Sequence, residues 1–448
     1  MSNLTPIKIV MPYWIFCLLL YAFGPFKWVT YHPVTFWTLN ILFLLLFSVG
    51  WILGIRLKSA TIYRWNSYDP NDARILKGLH IKIVINCIYE AINLFRMFFF
   101  SSFDVTGLIK RLIYGIQNMG DSYNSFQESI MLNTVNVVGG SLMTMFNVVW
   151  DFWAFSTLLL SILYLKRLNI IDKIITGITL FIIIIGYVAR GTNIGVFRIV
   201  LAFLCFFYIK YIKKSKEKSK KKKISSSKML VLSVVGIVVV VQLFDKVMQS
   251  RGGINLWETS YYNIGGIGIN KNSIFFSIVP LGFHQLVVAL ASYLTQGFYG
   301  MSLTLRVPWK PMFGLGSSMG LQNLLTGLIP NLTSRTYQKR IEIYGWDSYV
   351  QWHTMYSWIA NDFSYIGVIF IMAVLGFLFA KVYKDCMNDN NPFAYLMLYY
   401  LVLMAVFLPC NNQVFQSTYV LFSFILVFVK WLLSRKGIVI KIGDRIRI

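Results

Sequence analysis

Two arginines beside long apolar runs offer this chain its most distinctive chemistry. Arg190 closes the run Ile182-Ile-Ile-Ile-Gly-Tyr-Val-Ala-Arg190-Gly-Thr, and Arg198 lies one helical turn into the next. Only a few residues join the two runs, so both guanidinium groups belong near one membrane interface on adjacent helices. A planar guanidinium donates two parallel hydrogen bonds to phosphate, and a pair of them can clamp a pyrophosphate. Snorkelling to lipid head groups is the competing account. A second basic set comprises Arg251-Gly-Gly253, Lys271, Arg306, Lys310, Arg335, Lys339 and Arg340. Glu258, His284, Glu342 and Asp347 lie among them, and His353 just beyond. Glycines beside Arg251 let the backbone approach a ligand closely. An anionic ligand is the simplest reason for so many cations, and an ordinary solvated loop is the alternative.

Carboxylates also occur within apolar segments. Asn86, Glu90 and Asn93 form one helical stripe at i, i+4 and i+7, and Asn147 and Asp151 are one turn apart in a later run. An ionisable group at membrane depth must face the bundle interior or a wet cavity, where it either serves function or joins helices by hydrogen bonds. Asp362 lies about three turns into the stretch beginning Trp352-His-Thr-Met-Tyr-Ser-Trp. The upper half of that stretch is small, aromatic and polar. Such a surface suits a sugar-sized cavity, because aromatic faces stack on pyranose C–H bonds while hydroxyls and amides hold ring oxygens. No Walker A loop, dinucleotide glycine loop, zinc spacing or serine elbow appears, which sets aside ATP, NAD and structural metal. Cys17, Cys87, Cys205, Cys386 and Cys410 lack metal-type spacing and read as packing residues.

The elements that must position these groups are helices in a bilayer. The chain has 448 residues, 57% hydrophobic and 13% charged, which is too apolar for a soluble domain of average composition. Its net charge of +25 could mean nucleic acid, but the charge is placed for a membrane. Ten lysines against one glutamate lie in the 210–228 stretch between two apolar runs, the mark of a cytoplasmic loop or of a surface for anionic lipid. At about 20 residues per crossing, spans are expected at Ile9–Phe26, Val34–Ile55, Ile81–Phe100, Ser141–Leu165 and Ile174–Ala189. Further spans are expected at Ile194–Ile209, Met229–Phe244, Trp352–Ala380, Phe393–Leu408 and Val414–Leu433. The polar knot Leu408-Pro-Cys-Asn-Asn-Gln413 then reads as a hairpin. Basic loops on one side place both termini in the cytoplasm and residues 245–351 outside. Within that outer segment, Ser273–Leu294 lies in the interface, re-enters, or crosses together with a partner near Met312–Leu328, and Phe313-Gly-Leu-Gly-Ser-Ser-Met-Gly320 favours a re-entrant or surface segment. The expected fold is one all-α, polytopic transmembrane bundle of about 10–12 spans over residues 1–448, with one large extracytoplasmic loop containing re-entrant or interfacial helices.

Certain residues carry a likeness to a known family. Arg190-Gly-Thr stands at a helix end before a run feeding a Lys-rich loop, the outer loop has scattered arginines, and Asn361-Asp362-Phe363 is followed by Gly367. The last is similar to an Asp-Phe-Gly-x-x-Gly element, with Ser364 standing where Gly is more usual. In these features the chain resembles the Wzy-type repeat-unit polymerases of O-antigen and capsule synthesis. The resemblance implies a glycosyltransferase of the bacterial cytoplasmic (inner) membrane, joining undecaprenyl-pyrophosphate-linked oligosaccharide repeat units at its outer face. It also implies that a chain-length regulator and a flippase act beside it, with membrane lipids as its surroundings and no nucleic acid, metal or cofactor. In that scheme Arg190, Arg198, Arg251 and Arg306 stabilise the leaving pyrophosphate, and Arg335, Lys339 and Arg340 carry or guide the chain. Asp362, His353 and Glu258, in that order, are the candidates to take the acceptor proton. An O-antigen ligase shares the donor and much of the architecture, and a lipid-linked oligosaccharide flippase or transporter would bind the same pyrophosphate. A membrane acyltransferase would have to work through His284 or His353.

Overall fold

Apolar runs bounded by proline, glycine or a capping side chain become the helices. In the computed structural model, which describes residues 6–57, 70–98, 102–136, 142–217, 266–325 and 328–436 with the single positions 65, 242 and 246, the chain starts with α1 (Ile7–Phe23), α2 (Pro33–Arg56), α3 (Pro70–Met97) and α4 (Val105–Gln117). Then come α5 (Met119–Asn136), α6 (Leu142–Tyr164), α7 (Ile170–Ala189) and α8 (Ile194–Glu217). After residue 265 follow α9 (Ile274–Ile278), α10 (His284–Thr304), α11 (Met319–Leu325), α12 (Tyr337–Arg340), α13 (Met355–Asn388), α14 (Pro392–Phe407) and α15 (Thr418–Ser434). The expected span Met229–Phe244, the Lys-rich stretch beyond 217, Arg251 and Glu258 lie outside the described residues. So does the side chain of Asn147.

The described chain is an all-α bundle. Five of its helical segments are long and apolar enough to cross a membrane: Pro33–Arg56, Ile170–Ala189, Ile194–Lys213, Leu281–Thr304 and Met355–Asn388. Shorter apolar helices accompany them at Ile7–Phe23, Val148–Tyr164, Pro392–Phe407 and Thr418–Ser434. Its organising contact is the crossing of α2 on α13, where small residues bring the backbones together. A Cβ on Gly50 would come within 1.9 Å of the Ala373 carbonyl oxygen, and one on Gly376 within 2.0 Å of that of Phe47. Aromatic rings fill the seam on either side, with Phe43 stacked on Tyr356 at 4.4 Å. Beyond the seam, Lys381 Nζ donates to the Leu57 carbonyl (2.8 Å) and Lys384 Nζ to that of Ile55 (3.0 Å). These lysines satisfy the carbonyls at the α2 C-terminus and explain why α13 runs on to Asn388 rather than stopping at Ala380. α14 is buried on every face along most of its length, which accounts for a run with no polar stripe. Two further differences from expectation are the earlier start of α3 and the presence of α4 and α5. Arg167 and Tyr164 both bind Asp72, which holds the first turn of α3 against the end of α6.

The segment 266–351 is not a free loop. Its centre, α10, is inserted in the bundle and contacts α1 and α13. Phe26 pairs with Ile269 in an isolated antiparallel bridge, which fixes the chain entering α9 and α10 to the end of α1. Ser364 divides α13 into two pieces, with φ 56° and ψ 169°. That backbone region is almost reserved for glycine and costs any other residue on the order of 1–3 kcal/mol.

Candidate functional site

The α7–α8 turn places the two arginines. Ala189 ends α7, Gly191 takes φ +66°, and the Thr192 N–H and Oγ1 both donate to the Tyr187 carbonyl oxygen (3.0 and 3.2 Å). A glycine in the left-handed region is the usual way to close a helix. Here it is required twice, because a Cβ on Gly191 would meet the Met119 carbonyl oxygen at 2.2 Å. Neighbouring Gly115 is pressed against Ala189, where its Cβ would lie 2.0 Å from the carbonyl oxygen. The amphipathic α4, absent from the expected spans, thus packs directly under the Arg190 turn.

Both arginines line one cavity of about 880 Å³, together with Glu90, Arg96 and Asp151 from α3 and α6 and with His353. Arg198 is 6% exposed; it donates Nη2 to the carbonyl and Oε1 oxygens of Gln413 (both 3.2 Å) and Nη1 to the Tyr419 hydroxyl (2.5 Å). Arg190 lies over Phe126 at 3.9 Å and beside Tyr187 at 5.1 Å. Tyr187 is hydrogen-bonded to Tyr419, so the two guanidinium groups are joined through a pair of phenols. Burial lowers the Arg190 pKa from its ordinary value while the two tyrosines oppose the shift, and a guanidinium stays charged under such a shift. The Nε atoms of both arginines are buried without a partner.

His353 sits at the end of α10, against Gly300 and edge-on to Trp358 at 6.3 Å. It is 1% exposed and neither ring nitrogen has a hydrogen-bond partner. Burial alone pulls its pKa down to about 3, so the imidazole is neutral throughout the working range. The unfolded chain takes up this proton near pH 6.5 and the folded chain does not until about 3. The stability involved is complete above 6.5 and is lost as pH falls toward 3. In detergent, His353→Gln should therefore narrow the drop in Tm between pH 7.5 and pH 5. An equal drop in both proteins would show that His353 does not set this dependence.

The remaining expected residues separate from this group. Asp362 does not line the cavity, and its carboxylate is full: Oδ1 accepts the N–H of Gly314 and of Gly316, and Oδ2 accepts the N–H of Ser317, all at 2.8 Å. The Ser317 hydroxyl adds a fourth bond at 2.5 Å. Asp362, first among the expected bases, is therefore placed as an anchor for the Gly-rich loop, apart from the cavity that His353 lines. Arg306 is sandwiched between Tyr344 (3.8 Å) and Tyr31 (4.5 Å). Arg335 donates to the Pro311 carbonyl (2.9 Å), Arg340 to that of Pro308 (2.5 Å), and Lys339 pairs with Glu342 (2.7 Å). These four brace the 266–351 segment and none lines the cavity, so the structure does not bring them together with Arg190 and Arg198. Arg96, Tyr187, Tyr419 and Gln413 were not anticipated. For Arg96 a signal existed, since it continues the Asn86, Glu90, Asn93 stripe by three residues. Among the described residues no three His, Cys, Asp or Glu side chains gather as metal ligands. Comparison with protein-family models, with curated proteins and with solved structures gives no match.

Proposed function

We propose that the protein is a polymerase for oligosaccharide repeat units carried on a polyprenyl pyrophosphate such as undecaprenyl pyrophosphate. In this reading it works at the outer face of the bacterial cytoplasmic membrane, with both termini inside and a flippase and chain-length regulator beside it. The observation that carries the reading is one cavity in a membrane-type bundle, lined by the buried Arg198 and the half-buried Arg190, both with buried and unpartnered Nε atoms, and by a buried, neutral, unpartnered histidine. Glycosyl transfer needs those groups. The donor's anomeric C–O bond to phosphate breaks, the acceptor oxygen bonds to that carbon, and the pyrophosphate leaves with the electron pair. Charge grows on the leaving group, so Arg190 and Arg198 stabilise the transition state more than the bound substrate. His353 takes the acceptor proton. An anionic substrate in the same cavity raises the imidazole's proton affinity from its low resting value, which makes it a better base when the donor is bound.

Deletion of the gene in its host, followed by electrophoresis of the surface polysaccharide, tests this. Loss of long chains with a single capped repeat unit remaining is the expected result. Uncapped lipid-linked polymer would mean a ligase, and a repeat unit held on the inner leaflet would mean a flippase.

A further inference from the structure

The cavity has a second polar end that the pyrophosphate scheme does not use. Glu90 and Asp151 line it from α3 and α6. Asn93 is hydrogen-bonded to Glu90. Asp151 accepts the Tyr89 hydroxyl, which in turn accepts Arg96 Nη1 at 3.1 Å. Leu94 and Met97 pack on Gly186, one turn before Arg190, so Glu90 sits about a turn further from the α7–α8 connection than that contact. Tyr89 is also stacked on Trp150 at 5.9 Å.

Glu90 and Asp151 more than offset the one cation at this end, Arg96, so the anion belongs with Arg190 and Arg198. The two carboxylates accept hydrogen bonds from hydroxyls, while Asn93 and Arg96 bring donors to the same wall. Acceptors and donors together on one cavity wall suit the hydroxyls of a neutral pyranose. The cavity also asks for a ligand independently of these acids, because His353, 1% exposed, lines it with both ring nitrogens unpartnered. On the α3 stripe one turn before Glu90, Asn86 Oδ1 is likewise buried with no partner.

We infer that the Glu90–Asp151 end of the cavity is a subsite for a neutral, polyhydroxylated sugar ring, separate from the anion subsite of Arg190 and Arg198. The inference rests on the reading that this cavity handles a lipid-pyrophosphate sugar, and it names which part of that molecule goes where. A sugar held there presents its hydroxyl toward the space shared with His353.

Binding measurements on the full-length protein in detergent test the assignment, followed by intrinsic fluorescence or calorimetry. The probes are inorganic pyrophosphate and the host's repeat-unit oligosaccharide released from its lipid by mild acid. Glu90→Gln and Asp151→Asn should each weaken oligosaccharide binding at least tenfold and leave pyrophosphate binding within twofold. Arg190→Ala should do the reverse. Retained pyrophosphate binding is the control for folding. The subsite is overturned if the wild type does not bind the oligosaccharide, if both acid variants bind it normally, or if the two ligands weaken in parallel. A wild type that takes the oligosaccharide through Glu90 but ignores pyrophosphate would instead remove the pyrophosphate reading and leave the sugar subsite standing.

Discussion

Arg190→Ala and Arg198→Ala should each slow the proposed repeat-unit transfer on the order of 10²–10³-fold, the usual cost of removing one donor aimed at a developing oxyanion. The two should differ in a second respect. Arg190 touches the protein through the rings of Phe126 and Tyr187 and a hydrogen bond to Tyr187, so its loss should keep insertion and lower Tm less than the loss of Arg198. Arg198 holds both oxygens of Gln413 and the Tyr419 hydroxyl, so its removal leaves buried acceptors unsatisfied and lowers Tm as well. Lysine should not rescue Arg198, because an ammonium on a flexible stem cannot reproduce three bonds from one planar fork. Single-turnover transfer with purified protein and lipid-linked repeat units gives the rate, and thermal unfolding gives the stability. Transfer at the wild-type rate in both alanine variants would remove the arginine mechanism.

Helices were legible in this sequence wherever lipid or core demands apolar residues on all sides. α2, α7 and α14 lie within four residues of their expected bounds, and α8 starts as expected at Ile194 but runs on past Ile209 to Glu217. α4 was not legible by hydropathy because it is half polar. Its signal was local: Asp104 caps it by accepting the Gly107 N–H (2.9 Å), followed by Leu108, Ile109, Leu112, Ile113 and Ile116 at helical spacing. The site was partly legible for the same physical reason. An arginine or glutamate in an apolar run must meet a partner or a cavity, and Arg190, Arg198, Glu90 and Asp151 all do. The cations between 306 and 340 were less legible, because an expected side of the membrane says nothing of local partners. Arg306 found two tyrosine faces and Arg340 a backbone carbonyl, contacts that only folding brings together.

Asp362→Asn separates a structural carboxylate from a catalytic one more sharply than any other single change. Four donors converge on Asp362 from the Gly-rich loop, which also holds Asn412 through the Ser317 carbonyl (2.7 Å) and Gln416 through the Gly320 N–H (2.9 Å). Those contacts run on to Gln413 and so to Arg198. No room exists for relaxation at the centre, because a Cβ on Gly316 would lie 2.4 Å from that of Asn361. An asparagine keeps one acceptor oxygen and turns an NH₂ toward N–H groups that need an acceptor. Charge-assisted bonds are worth roughly 1.5–3 kcal/mol each and stranded donors cost about 1–3 kcal/mol more, so a loss of about 3 kcal/mol or greater is expected. Tm should fall steeply, and transfer should fall with it because the loop that leads to Arg198 loosens. A variant that keeps its Tm and still loses transfer would return Asp362 to the role of proton acceptor, and His353 would then have to yield that place.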